Sequence, residues 1–128
     1  MNKEQKLFDE IESYRETIIK IDANNLVSTT IKHWNFLKYY IELNYHKNLS
    51  VPEMSFSNND FRYPEITLYW DKYPHHLDLE IEQDRENIWV YYHNESSKEE
   101  ISYWYKLENI LEDRLIDKLL LFTEEETQ

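Results

Sequence analysis

Glycine is absent from this 128-residue chain. Walker-type phosphate loops and dinucleotide fingerprints need glycine where the backbone closes on a phosphate, so both are excluded, and most nucleotide enzymes with them. Cysteine is absent as well, which removes disulfides, thiolate nucleophiles, zinc ribbons and iron–sulfur clusters together. No apolar run approaches the length of a membrane span, and the opening MNKEQKLFDEIE has none of the apolar stretch of a secretory signal. The expectation is a cytoplasmic protein. Basic residues are few: 14 Lys and Arg stand against 26 Asp and Glu, for a net charge of −12. Nucleic acid and anionic lipid are poor partners for such a surface.

What is present suffices for a packed interior. Hydrophobic residues make up 41% and aromatics 16%, which argues for one domain spanning 1–128 and against disorder of the whole chain. The charge is uneven. Residues 1–52 carry seven basic and seven acidic side chains, whereas 53–128 carry seven and nineteen, so the second part holds all of the excess.

Over residues 2–21, Leu7, Phe8, Ile11, Ile18 and Ile19 recur at helical spacing with charges opposite, which predicts a first helix. A second, capped by Asp22 or Asn24 and running to about His46, is predicted from the stripe Leu26, Trp34, Leu37 and Ile41. Residues 1–48 thus read as a helical hairpin. Tyr39 and Tyr40 fall outside the stripe as candidates for a contact surface, and His33 and His46 read as surface or core-edge histidines. Residues 49–64, with Pro52, Pro64 and a polar run at 57–60, read as a connection.

Three runs then alternate with period two: EITLYWD at 65–71, HLDLEIE at 76–82 and NIWVYYH at 87–93. They predict an antiparallel meander over 65–93, turning at 73–75 and again at 83–86. Aligning the apolar positions puts Ile66, Ile81 and Ile88 in one row, Leu68, Leu79 and Val90 in the next, and Trp70, Leu77 and Tyr92 in a third. Burying each large apolar side chain stabilises by roughly 1.5–3 kcal/mol, so this face dictates the register. Residues 101–105 fit a fourth strand or a helix start, with aromatic and β-branched enrichment favouring strand. A final helix is predicted over 108–122 from Leu111, Leu115, Leu119 and Phe122, covering the sheet together with the first helix. The tail 123–128 reads as frayed. The fold class is α+β: a hairpin of helices, a three- or four-stranded antiparallel meander, and a C-terminal helix on one sheet face.

The same register assigns the other face. Its rows are Glu65, Glu82 and Asn87; Thr67, Glu80 and Trp89; Tyr69, Asp78 and Tyr91; and Asp71, His76 and His93. A wet sheet face needs polar residues, and this alone accounts for the carboxylates. It accounts less well for Tyr69, Trp89 and Tyr91, because tyrosine and tryptophan are enriched where proteins meet. The preferred expectation is a non-enzymatic inhibitor, immunity or antitoxin-type protein. Tyr69, Trp89 and Tyr91 would supply contact area to a basic partner, such as a toxin, a nuclease or another nucleic-acid-binding protein, while Asp78, Glu80 and Glu82 would steer it. No cofactor and no catalytic residue is expected. The alternatives are a metal-dependent enzyme using Asp71, His76, Asp78 and His93, with His75 in reserve, and an adaptor whose acidic surface has no special role. Serine hydrolysis lacks a G-x-S-x-G setting, and paired-carboxylate glycoside cleavage lacks a cleft.

The motifs P-E-I-T-L-Y-W at 64–70, H-L-D-L-E-I at 76–81 and I-W-V-Y-Y at 88–92 resemble a pattern of small uncharacterised bacterial proteins. These run strand, strand, strand and terminal helix, and the resemblance covers about 63–122. It implies that order of elements and brings no activity. Their second turn often carries Asp-Gly, where this chain has Asp84 followed by Arg85. In composition the chain is similar to immunity proteins, antitoxins and phage inhibitors of host defence.

Overall fold

The computed structural model describes residues 2–17, 24–57, 64–82, 87–106 and 112–125. Helix α1 runs Lys3–Thr17 and α2 Asn24–Tyr45. The N-terminus of α1 is closed by Asn2, whose Oδ1 accepts the Gln5 amide at 2.7 Å. Predicted extensions at 18–21 and at Asp22 lie outside the described residues. Helix α2 ends on His46, which adopts φ 54°. That left-handed position usually holds glycine, and a chain without glycine must place a side chain there.

Among the described residues, seven strands follow the hairpin: β1 Lys47–Leu49, β2 Glu53–Ser57, β3 Glu65–Lys72, β4 His75–Glu82, β5 Asn87–Asn94, β6 Glu100–Lys106 and, after a further helix, β7 Thr123–Glu125. Strands β2 to β6 form one antiparallel sheet in sequence order. The meander therefore has five strands, not three or four. Residues 101–105 belong to strand β6, and 53–57, read as connection, form strand β2. The sequence E-M-S-F-S does alternate, with Met54 buried and Phe56 partly so. Pro52 stands just before it, where a missing N–H costs no ladder bond.

The register of the three predicted strands is as expected. Ile66 faces Ile81, Leu68 faces Leu79, Trp70 faces Leu77, and Leu79 and Leu77 face Val90 and Tyr92. Each of these side chains is buried. A slip of one residue would turn the whole apolar set to water, so this row of contacts selects the pairing.

Helix α2 lies against β3 and β4, and α1 packs on α2 and β2. The first and final helices were expected to cover the sheet; α1 reaches only its edge strand β2, and it is α2, with the buried stripe Leu26, Val27, Trp34, Leu37 and Ile41, that lies on β3 and β4. Trp34 meets Trp70 at 6.4 Å, and the Trp70 indole donates to the Ser50 carbonyl at 2.6 Å. Glu4 on α1 accepts from both the Trp34 indole at 3.1 Å and Lys38 at 2.7 Å, tying the helices together.

The C-terminal helix α3 spans Asp113–Leu119, followed by a 3-10 turn at Leu120–Phe122. Its predicted start at 108–111 lies outside the described residues. The frayed tail is corrected for 123–125: β7 pairs with β1, with Leu49 opposite Thr123 and Lys47 opposite Glu125. The Ser50 amide donates to the Phe122 carbonyl at 2.9 Å and closes the pair. No helix among the described residues is long and apolar enough to cross a membrane.

Candidate functional site

Alternation along β2 to β6 fixes which side chains leave the core, and the register then assembles them into rows. Asp78 stands directly between Tyr69 and Tyr91, and the row continues to Glu53 on one side and Ser102 on the other. Glu80 stands between Thr67 and Trp89, with Trp104 beyond. Glu65 and Glu82 are opposed, as are Asp71, His76 and His93 in turn. The six expected site residues Tyr69, Asp78, Glu80, Glu82, Trp89 and Tyr91 therefore share one face. All six are half-buried rather than sealed, so none is lost beneath a helix.

Sequence reasoning missed part of this face. Trp104 packs edge-on against Trp89 with ring centroids 5.0 Å apart and is 42% exposed. Glu53 and Glu100 add carboxylates at the outer strands. Their alternation signal was present, but both flanking runs sit beside polar or charged segments that mimic loops. Seven carboxylates, on Glu53, Glu65, Asp71, Asp78, Glu80, Glu82 and Glu100, line the face against a single lysine among the described residues, Lys106. At neutral pH such a face carries a negative field that draws cations.

At one end of the face His76 is clamped. Its Nδ1 meets Asp71 Oδ1 and its Nε2 meets Asp78 Oδ1 at 2.7 Å. Partial burial disfavours the imidazolium, but the hydrogen bonds and charges of Asp71 and Asp78 outweigh it and raise the pKa above the ordinary 6.5. Burial raises the Asp78 carboxyl, against the pull of His76. Both ring nitrogens thus face carboxylates. His93 is paired with His76 across the strands as expected, and its ring stacks on Tyr91 at 6.5 Å. Among the described residues no three His, Cys, Asp or Glu side chains are grouped to hold a metal ion. His75 turns to the inner face, where its Nδ1 meets the Tyr92 hydroxyl at 2.7 Å.

His33 is corrected from surface or core edge to full burial, at 0% exposure. Its Nε2 meets the Tyr105 hydroxyl at 2.6 Å, while its Nδ1 has no partner. Burial lowers its pKa to about 3. The spacing Leu26, Thr30, His33, Leu37 places it on the buried flank of α2, a signal hidden by treating histidine as polar. Tyr39 is 55% exposed on the outer side of α2, as expected of a residue outside the stripe.

A groove bordering the face holds about 330 Å³ and is lined by Tyr69, Asp71, Glu53, Lys3 and Lys72 among others. It brings together side chains of both charges. The chain matches no family model, no curated protein and no solved structure.

Proposed function

We propose that the protein is a non-catalytic binding protein of the inhibitor or immunity type, docking its outer sheet face on a basic protein. The observation that carries this reading is the register: it gathers Tyr69, Trp89 and Tyr91 with Asp78, Glu80 and Glu82 on one side of a rigid sheet. Aromatic rings held by strands supply contact area at little entropic cost, since few torsions remain to be frozen. The carboxylates around them speed encounter with a cationic surface and disfavour acidic competitors. A partner that binds nucleic acid presents such a cationic surface, and covering it blocks phosphate contacts.

The test is a photo-reactive residue introduced at Trp89, with a control at Lys32 on the exposed side of α2. Cross-linking in cells should join position 89 to a protein of high isoelectric point. Charge reversal by Asp78→Lys, Glu80→Lys and Glu82→Lys should abolish that adduct while the protein stays folded. An unchanged adduct after charge reversal, or one formed only from position 32, would discard the proposal.

A further inference from the structure

We infer that two copies of this chain associate through the outward side of helix α2, crossing antiparallel about a twofold axis. This interface is separate from the docking face, which lies on the other side of the sheet. Helix α2 has two apolar sides. One is the buried stripe that lies on β3 and β4. The other holds Phe36, Tyr39, Tyr40 and Leu43, at the i, i+3, i+4, i+7 spacing by which one helix meets another. Tyr39 is 55% and Leu43 75% exposed, while Phe36 and Tyr40 are partly covered and their rings meet at 5.8 Å. Lys38, held by Glu4, lies 5.5 Å over the Tyr39 ring and steadies it without closing it from solvent.

Charge decides what covers this stripe. The acidic excess falls in residues 53–128, while 1–52 carry seven basic and seven acidic side chains. A basic partner is drawn to the sheet face, whereas two copies of so acidic a chain repel least where their balanced helical layers meet. The charges beside the stripe are also self-complementary. Lys32 is exposed one turn before Phe36, Glu42 is half-buried beside Leu43, and no other side chain holds either among the described residues. Lys32 and Glu42 are centred on residue 37, and Phe36 and Tyr39 are centred there to within half a residue. A twofold axis at that level sets Phe36 across from Tyr39 of the second copy and Lys32 across from its Glu42, and symmetry makes each contact twice. The Lys32 stem then covers Leu43 of the second copy while its ammonium meets the carboxylate. A seam of about three helical turns is at the small end of interfaces, so the pair forms at micromolar concentrations or above. Both acidic sheet faces point away from it and stay open.

Sedimentation equilibrium of the full chain tests this, from about 1 µM to about 1 mM, at physiological salt, where repulsion between the distant acidic faces is screened beyond about 8 Å. The native protein should pass from one chain mass to two over this range. Leu43→Asp should stay monomeric throughout, with circular dichroism confirming the fold. Lys32→Glu and Glu42→Lys should each associate about tenfold more weakly, because each turns two attractions into repulsions. Mixed in equal amounts, these two variants should regain native affinity as a pair made of one of each, in which both contacts are attractive again. A native protein that stays monomeric at every concentration would overturn the inference. Dimers that survive Leu43→Asp would place the contact elsewhere and overturn it too, as would a mixture that associates no more tightly than its components.

Discussion

Substituting His33 by leucine should flatten the acid sensitivity of folding. The native imidazole is sealed from water, and burial alone takes its pKa from 6.5 to about 3. Above pH 6.5 the ring is neutral in both folded and unfolded chains, and stability does not depend on it. Below that value the unfolded chain takes up a proton that the native chain refuses. Native stability then falls by about 1.4 kcal/mol per pH unit until the native ring itself titrates near 3. Going from about pH 7.5 to about pH 5 thus costs roughly 2 kcal/mol through this one side chain, and the whole window costs roughly 5 kcal/mol. Domains of this size are held by about 5–15 kcal/mol in total, so the effect is large. The assay is urea unfolding, followed by tryptophan fluorescence, at both pH values. The leucine variant starts lower by about 1–3 kcal/mol because the Tyr105 hydroxyl loses its partner. Its further loss on acidification should nonetheless be smaller than that of the native protein by roughly 2 kcal/mol, and His33→Gln, which keeps a hydrogen-bonding group for Tyr105, should show the same flattening. His76 and the carboxylates titrate in all three proteins and cancel in the comparison. An equal acid-induced loss in all three would refute the reasoning.

Leu79→Ala removes a fully buried side chain between Leu68 and Val90 on the middle strand; it should cost about 2–5 kcal/mol in urea unfolding with an unchanged m-value. Trp70→Phe keeps a ring against Trp34 and Phe122 but loses the donor to Ser50, and should lower stability by about 1–2 kcal/mol, read as a Tm several degrees lower. His76 should titrate above its ordinary value by NMR, and Asp71→Asn should bring it down. The sign for this histidine is opposite to that of His33: its contribution is present below the unfolded pKa and is lost as pH rises through the raised native one. His46→Gly relieves a side chain at φ 54° and should stabilise by about 1 kcal/mol; an unchanged Tm would show that the left-handed helix end costs nothing here.

The outer face and its companion core were legible for a specific reason. In β3, β4 and β5 the alternation is unbroken, and large apolar residues occupy three successive inward positions on each strand, so only one phase of pairing buries them all. That phase also fixes the neighbours of Asp78 and Glu80. The flanking strands were harder. Strand β2 offers only Met54 and Phe56 to the core, too little apolar content to announce itself against a polar loop, while the aromatic and β-branched run of β6 favoured a strand but, with apolar residues on both faces, left a helix start open. Strand β7 was invisible for a different reason: its three residues gain their pairing only because the chain returns beside Lys47–Leu49.

Periodicity and composition alone determined the absence of glycine and cysteine chemistry, the acidic balance, the two long helices, and the phase of the central strands. These are properties of local pattern, set by which residues water expels. Tertiary structure alone decided that α2 rather than α1 covers the sheet centre, that His33 is sealed against Tyr105, that His76 is held by two carboxylates, and that Trp104 joins Trp89. Each depends on contacts between residues distant in sequence or across strands, where packing chooses among partners that the local pattern leaves equivalent.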